Sequence, residues 1–524
     1  MSTRYRLLSL ILFAAGAMPL TAAAQDGFEP PSNPYLADSA WPMSHRTPYA
    51  QGSSPRPGPE SRHDLESPDY EGTSLTNITL ATSPRYPSGW FREGGRVYWG
   101  STFGKVYKLR ANESGLSEID SMSKPSGASL DSIGNATSGA YTLVDNENSF
   151  YTVDGTTVLA YQDRWSWWRG SPIELARSFD LPDHILRGDA STDPIVGMNL
   201  LWDGKLALAT KKGTVVVLSR DFSSYWSVQL GGSDGEEISN SIAADENGGI
   251  YVVSENAMYR VQWTGSRLSL DPSTGAWQAA YENGEDQTGS GRLGAGSGST
   301  PSLMGTGNQD RFVVITDGQP VAHLVLFWRD EIPADWEPIA PGKSRRIAAE
   351  VPVNFGDPNR EQTVSEQAVL VRGYGAVVVS NDYRNTDALP DSTGNDVLDN
   401  ITNGITLALS GWPRHQPRHQ PWGVHKFRWN PDTRELETDW VNNDTSCPNG
   451  IPTMSASSQL FYCVGARWGA WTVEALDWNT GDHRFRKILG WNPLYNSFYA
   501  GTQIGHDGTI VSGTTFGVME MDGE

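Results

Sequence analysis

The chain is 524 residues long, and 40 Lys plus Arg against 61 Asp plus Glu give it a formal charge of −21. With no Lys/Arg run to displace counterions from phosphate, that balance excludes a nucleic-acid partner. Apolar residues at 38% exclude a multi-span membrane protein, while 55 Gly, 32 Pro and 20 Trp suit many short strands joined by tight turns, the composition of a large acidic all-β protein.

The N-terminus carries Arg4 and Arg6, an apolar run over residues 7–18 and the triplet Ala22-Ala23-Ala24. This pattern predicts a signal peptide over residues 1–24, and the run is too short to span a bilayer. A periplasmic or secreted bacterial protein with no membrane span after cleavage is expected. In an oxidising compartment the two cysteines, Cys447 and Cys463, are expected to pair. A Pro/Ser-rich leader over residues 25–70 then precedes one domain over residues 71–524.

That domain repeats one unit: a strand, a tight turn and a second strand ending in aliphatic residues. Eight such hairpins begin at Gly95, Asn148, Gly204, Gly248, Arg311, Gly375, Gln459 and Gly508, with spacings of 44 to 84 residues. The spacing predicts an eight-bladed β-propeller, with seven blades as the alternative. Ahead of most hairpins, segments such as DASTDPIVG, ISNSIAAD and SCPNGIPTM pass from small polar to aliphatic residues and read as innermost strands lining the channel. Because the last hairpin runs almost to Glu524, the final blade needs an outer strand from the N-terminal side, and SLTNITLA, residues 74–81, is the expected donor.

The turn ALDWNTG, residues 475–481, resembles the A-x-D-x-x-T-G blade motif of quinoprotein-alcohol-dehydrogenase-like propellers, with Phe485 in place of the usual Trp wedge. Residues 427–440 and 268–277 are looser echoes. A quinone-dependent member would carry a vicinal cysteine pair over the cofactor and a carboxylate/Asn set on calcium. The chain has no adjacent cysteines, which disfavours PQQ. A second, looser resemblance is to gluconolactonase and strictosidine-synthase-like propellers, carried by Asn449-Gly450-Ile451-Pro452 and Asn240-Ser241-Ile242. It implies that inner-strand starts hold one divalent cation, here Asp193, Asn240, Glu366 and Asn449, an all-oxygen set suited to Ca²⁺ or a similar ion. Such an ion would activate water for lactone or ester hydrolysis. The competing reading of the same residues is a water-filled polar channel.

Weaker motifs read as loops. The G-x-S-x-G match at residues 231–235 is followed by a strand pattern where a nucleophile elbow needs a helix. Pro417 between His415 and His419 forbids the helix that would align their imidazoles, and the Gly-rich stretch over residues 286–301 lacks a following helix for phosphate. An insertion over residues 385–422 is expected to frame a channel entrance with Arg414 and Trp422. Trp165, Trp167, Trp168, Trp328 and Trp336 are expected mainly as wedges between blades. The leading expectation is an exported propeller binding a small organic ligand at a channel mouth, with a metal-assisted hydrolase as its catalytic form. A non-catalytic scaffold with a protein partner is the alternative, and a PQQ-dependent oxidoreductase comes third.

Overall fold

The computed structural model describes residues 28–73, 79–84, 96–102, 104–112, 114–126, 141–232, 235–284, 295–382, 420–497 and 499–523. The predicted signal peptide, Arg414, His415, His419 and most of the 385–422 insertion lie outside the described residues. Eight antiparallel sheets of four or five strands make an eight-bladed propeller, as the hairpin spacing predicts. Helix among the described residues is confined to 3-10 turns at Asp183–Ile185, Pro272–Thr274 and Pro493–Tyr495, and no helix there is long and apolar enough to cross a membrane.

All eight hairpins form the two middle strands of a blade, and the segments read as innermost strands are innermost. In chain order the inner strands are Thr79–Thr82, Leu143–Val144, Ile195–Leu200, Ala243–Ala244, Ser302–Met304, Leu370–Arg372, Thr453–Ser455 and Thr502–Ile504. Middle strands such as Leu206–Thr210 and Thr214–Leu218 are buried along their whole length because both faces meet a neighbouring blade. Outer strands such as Tyr225–Gln229 are largely wet. The buried apolar side chains accordingly fall into eight clusters, one at each seam between blades. Trp328 behaves as the predicted wedge, packed against Phe312, Trp336 and Trp429 in the seam between blades 5 and 6.

The ring closes through an N-terminal strand, but the strand is not residues 74–81. Asp69–Gly72 pairs antiparallel with Gly517–Met521 as the outer strand of blade 8, and Thr79–Thr82 is instead the inner strand of blade 1. TNITLA carries the small-polar-to-aliphatic pattern of the other inner strands, whereas DYEG is half-exposed and offers only Tyr70 to a seam core, almost no apolar signal to read. Across this seam Glu520, buried in blade 8, accepts from Tyr98 Oη at 2.5 Å and Arg96 Nε at 2.7 Å, both from blade 1. A buried carboxylate is tolerated here because two blade 1 donors satisfy it.

An inner strand has a blade on one edge and only the channel on the other, so its free N–H groups need partners. The segment before residue 66 supplies them. The carbonyls of Trp41, Pro42, Pro48, Tyr49, Gln51 and Ser54 accept from Thr82, Val144, Ala244, Leu303, Val371 and Ala456, which belong to blades 1, 2, 4, 5, 6 and 7. Blade 3 joins through Asn199 Nδ2, which donates to Pro48 O at 3.1 Å. Ser53–Ser54 pairs parallel with Thr453–Ser455 as a fifth strand of blade 7. Ala37, Met43, Tyr49, Ala50 and Leu65 enter four of the seam cores. The leader is therefore an internal spine that follows the blades around the channel.

The predicted disulfide is present, with Cys447 and Cys463 bonded at 2.05 Å and buried in the seam of blades 6 and 7. Removing it by a Cys447→Ser, Cys463→Ser double substitution is expected to cost roughly 3 kcal/mol in urea denaturation, the scale for so short a loop. Tyr49 is fully buried, donates to Glu246 at 2.6 Å and lies under Arg329 at 5.0 Å. Tyr49→Ala should cost about 3–5 kcal/mol and expose the spine to protease, whereas Tyr49→Phe should cost only about 1 kcal/mol.

Candidate ligand site at the open channel mouth

The main-chain bonds of the spine fall mostly at or near the C-terminal ends of the inner strands, at Thr82, Val144, Ala244 and Ala456. The opposite face carries the inner-strand starts, and here one arc of contacts runs from blade 4 to blade 8. Asn240 Nδ2 donates to Ser297 O at 3.2 Å, and Gly298 lies directly against the Glu366 carboxylate, where a Cβ would collide. Glu366 N donates to Asn381 Oδ1 at 2.9 Å, Asn381 Nδ2 to Pro448 O at 2.9 Å, and Asn449 Nδ2 to Asn496 Oδ1 at 2.9 Å.

Three of the four residues expected to hold a cation, Asn240, Glu366 and Asn449, thus lie buried on this arc. Asp193 has separate work. Its two carboxylate oxygens accept from Arg187 N at 2.9 Å and Lys212 N at 2.6 Å, clasping two loops of blade 3.

Beside blade 7, the Arg467 guanidinium lies 5.2 Å from the ring of Trp422 and 5.5 Å from that of Trp468. Trp468 is 69% exposed and has φ = 51°, a left-handed conformation that a bulky residue adopts only when its surroundings impose it. An indole held in water in a strained turn is better suited to receiving a ligand than to filling a core. Trp422 was expected at the entrance and lies against Arg467; Trp468 was not singled out, because nothing in RWGAW distinguishes a turn tip from a strand.

The channel interior is crossed by Tyr141, whose Oη lies 3.3 Å from Thr300 Oγ1 of blade 5, and His45 of the spine packs on its ring at 5.9 Å. Burial pushes the His45 imidazole down to about 4, so it is neutral, and its Nε2 has no protein partner. His45 and Arg46 are both left-handed, at φ = 61° and 74°. Sequence reasoning missed His45 because it lies in a Pro/Ser-rich stretch with no periodicity. Further buried polar atoms without protein partners gather on the strand starts of blades 6 to 8: Ser365 Oγ, both amide atoms of Gln367, Ser446 Oγ and Ser497 Oγ. Buried polar atoms in such numbers call for water or a polar ligand.

Among the described residues, one His/carboxylate group has ligand atoms within 4.8 Å of one another: Asp317, His323 and Glu350 of blade 5. His323 Nδ1 is 3.2 Å from Asp317 Oδ2. Gln319 Nε2 lies 2.7 Å from Asp317, 3.1 Å from His323 and 3.3 Å from Glu350, where an ion would have to sit. Lys343 bridges both oxygens of Glu350, at 2.9 and 2.8 Å. The group therefore acts as a turn lock as it stands, and an ion would have to displace Gln319 and Lys343. It escaped sequence reading because its members come from a turn and two different strands.

A family model described as a beta-propeller repeat matches residues 226–255. In fold the chain resembles the quinohemoprotein alcohol dehydrogenases of Pseudomonas putida HK5 and Comamonas testosteroni, with a TM-score of 0.50 to each at 12% and 11% identity, covering 93% of this chain and 80% of each of theirs. What the chain shares with them is the fold, an eight-bladed β-propeller. The chain belongs to the same family as a protein of Archaeoglobus fulgidus described as uncharacterized, which is 42% identical over 500 residues, 94% of this chain and 89% of that one. The quinone expected of the dehydrogenases does not fit: the two cysteines are bonded to each other across 16 residues inside a seam core, so no vicinal pair exists to face a cofactor.

Burial works against charge on His323, but its hydrogen bond to Asp317 and the fields of Asp317 and Glu350 outweigh it and raise its pKa above 6.5. A raised histidine pKa stabilises the fold below the unfolded value, and that contribution is lost as pH rises through the folded value. The stability margin of wild type over His323→Gln, read from urea midpoints, is expected to be largest below the unfolded histidine value and to shrink as pH rises through the raised folded value.

Proposed function

We propose that this chain is an exported propeller that binds a small, hydroxyl-rich organic ligand at the open channel mouth. The observation that carries the reading is the asymmetry of the channel. The spine joins the inner strands of seven blades, and the strand starts of blades 6 to 8, on the face that carries the exposed Trp468 and the Trp422–Arg467 stack, gather buried polar atoms without protein partners. The aromatic rim takes an apolar ring face, and Ser365, Gln367, Ser446 and Ser497 take hydroxyls or a carbonyl. The buried disulfide supports an oxidising compartment.

In the catalytic form of this proposal Glu366, Asn240 and Asn449 would hold a divalent cation at the inner-strand starts, and Asp193 could join them only on release from its loop clasp. The ion would lower the pKa of a bound water for attack on a lactone or ester carbonyl. Elemental analysis of the purified protein, with δ-gluconolactone hydrolysis as the activity, tests it. One equivalent of metal lost on Glu366→Gln is expected; a metal-free protein with no hydrolysis removes the catalytic form. Binding is read separately, by tryptophan fluorescence titration with the same lactone and with gluconate. Trp468→Ala should weaken affinity by about 1 kcal/mol, and a wild type that binds neither compound overturns the ligand reading for this chemistry.

A further inference from the structure

The second and third strands of blade 2 are followed by a turn, residues 164–171, that reads RWSWWRGS. Its indoles are not the wedges their number led us to expect. The seam between blades 1 and 2 is already filled by Trp99 stacked on Phe150 at 5.4 Å, and the turn's tryptophans stand outside it: Trp167 is 70% and Trp165 45% exposed. The three rings are nearly parallel, within 8° to 20°, and their centroids are 5.8 to 6.3 Å apart in every pairing. A column would place its outer rings twice as far apart as its neighbours. Equal spacing means a triangular cluster of parallel faces.

The cluster is held before any ligand arrives. Trp168 N donates to Trp165 O at 2.8 Å, Ser171 N to Trp168 O at 3.0 Å and Arg164 N to Pro172 O at 3.0 Å. The buried Lys108 ties the turn down by donating to Ser171 O at 3.0 Å. Gly170 is required, because a Cβ there would come within 2.8 Å of the Trp168 ring nitrogen. Exposing apolar rings on a rigid mount costs solvation free energy without contributing to the core, which is the signature of a binding surface.

We infer that this turn is a docking platform for a neutral polysaccharide of extended, β-linked pyranoses. The geometry selects the chemistry. Parallel faces cannot enclose a quaternary ammonium, which needs walls around it, but they match the flat C–H faces of successive pyranose rings. Beside the rings stand two arginines, the exposed Arg164 and Arg169, which donates to Asn148 at 3.2 Å, against the exposed Glu174, so there is no run of like charge suited to a polyanion or a polycation. The net charge of −21 opposes an anionic lipid surface. The platform lies at the spine-side face, remote from the open mouth, and does not depend on the ligand proposed there.

The test is a depletion isotherm of the full chain on microcrystalline cellulose and on chitin beads, with cellohexaose as soluble competitor. Wild type should be retained and released by cellohexaose. Trp165→Ala/Trp167→Ala should lower the partition coefficient roughly tenfold or more without changing the melting temperature, since both rings are exposed. Leu270→Ala, an exposed apolar residue of blade 4 that belongs to neither site, should bind both matrices like wild type. Lack of wild-type retention on both matrices overturns the proposal, as does equal retention of the double variant. So does a size-exclusion result in which the trio holds a dimer that the double variant splits, with no glycan bound.

Discussion

The inner edge of each blade is the constraint on which the rest of this structure depends. Each blade presents to the axis a strand that is paired on one side only, and a ring of such edges would leave main-chain donors facing a narrow channel. The protein satisfies most of them with its own chain. Trp41, Pro42, Pro48, Tyr49, Gln51 and Ser54 contribute carbonyls in the order in which the ring presents donors. Two of these acceptors are prolines, which fits the geometry: a residue used only through its carbonyl loses nothing by lacking an N–H. The Pro/Ser-rich composition of the leader, which the sequence set apart from the domain, is the composition of an extended acceptor rail.

Polar side chains then couple the seams. Lys108 is fully buried, pairs with Asp163 across blades 1 and 2, and burial lowers its pKa to about 7. Lys426 pairs with Asp439 at 2.7 Å and donates to Trp478 O at 2.7 Å, joining blades 6 and 7. Neither pair is expected to be a large net source of stability, since desolvation offsets most of the attraction, but each penalises a misaligned seam by stranding a charge. A ring of eight similar units needs that discrimination, because its hydrophobic seams alone resemble one another.

Architecture was legible because the signals that create it are periodic. Hairpin turns and two-sided burial of middle strands recur in all eight blades and the polar-to-aliphatic switch precedes most hairpins, so one ambiguous copy does not mislead. The closing strand was misplaced because it occurs once and is wet: the four residues of Asp69–Gly72 carry little pattern. The site was less legible for a different reason. Asn240, Glu366 and Asn449 could be read as inner-strand starts, and they do share one arc. His45 and Trp468 owe their positions to left-handed backbone turns that no local propensity announces. Asp193 resembled a ligand because a carboxylate that caps loops and a carboxylate that binds an ion look alike in sequence.

The order of the spine has a temporal consequence. Everything it holds is synthesised after it: the acceptor at Trp41 meets a donor at Thr82, but the acceptor at Ser54 meets one at Ala456, some four hundred residues later. As the chain emerges, the blades can add one by one to a rail already present, yet the seam between Tyr98 and Glu520 cannot form until the last residues arrive. Assembly is therefore sequential along most of the ring and all-or-none at its last joint. A chain cut short by even one blade would retain many local hairpins while leaving the first blade without its final neighbour.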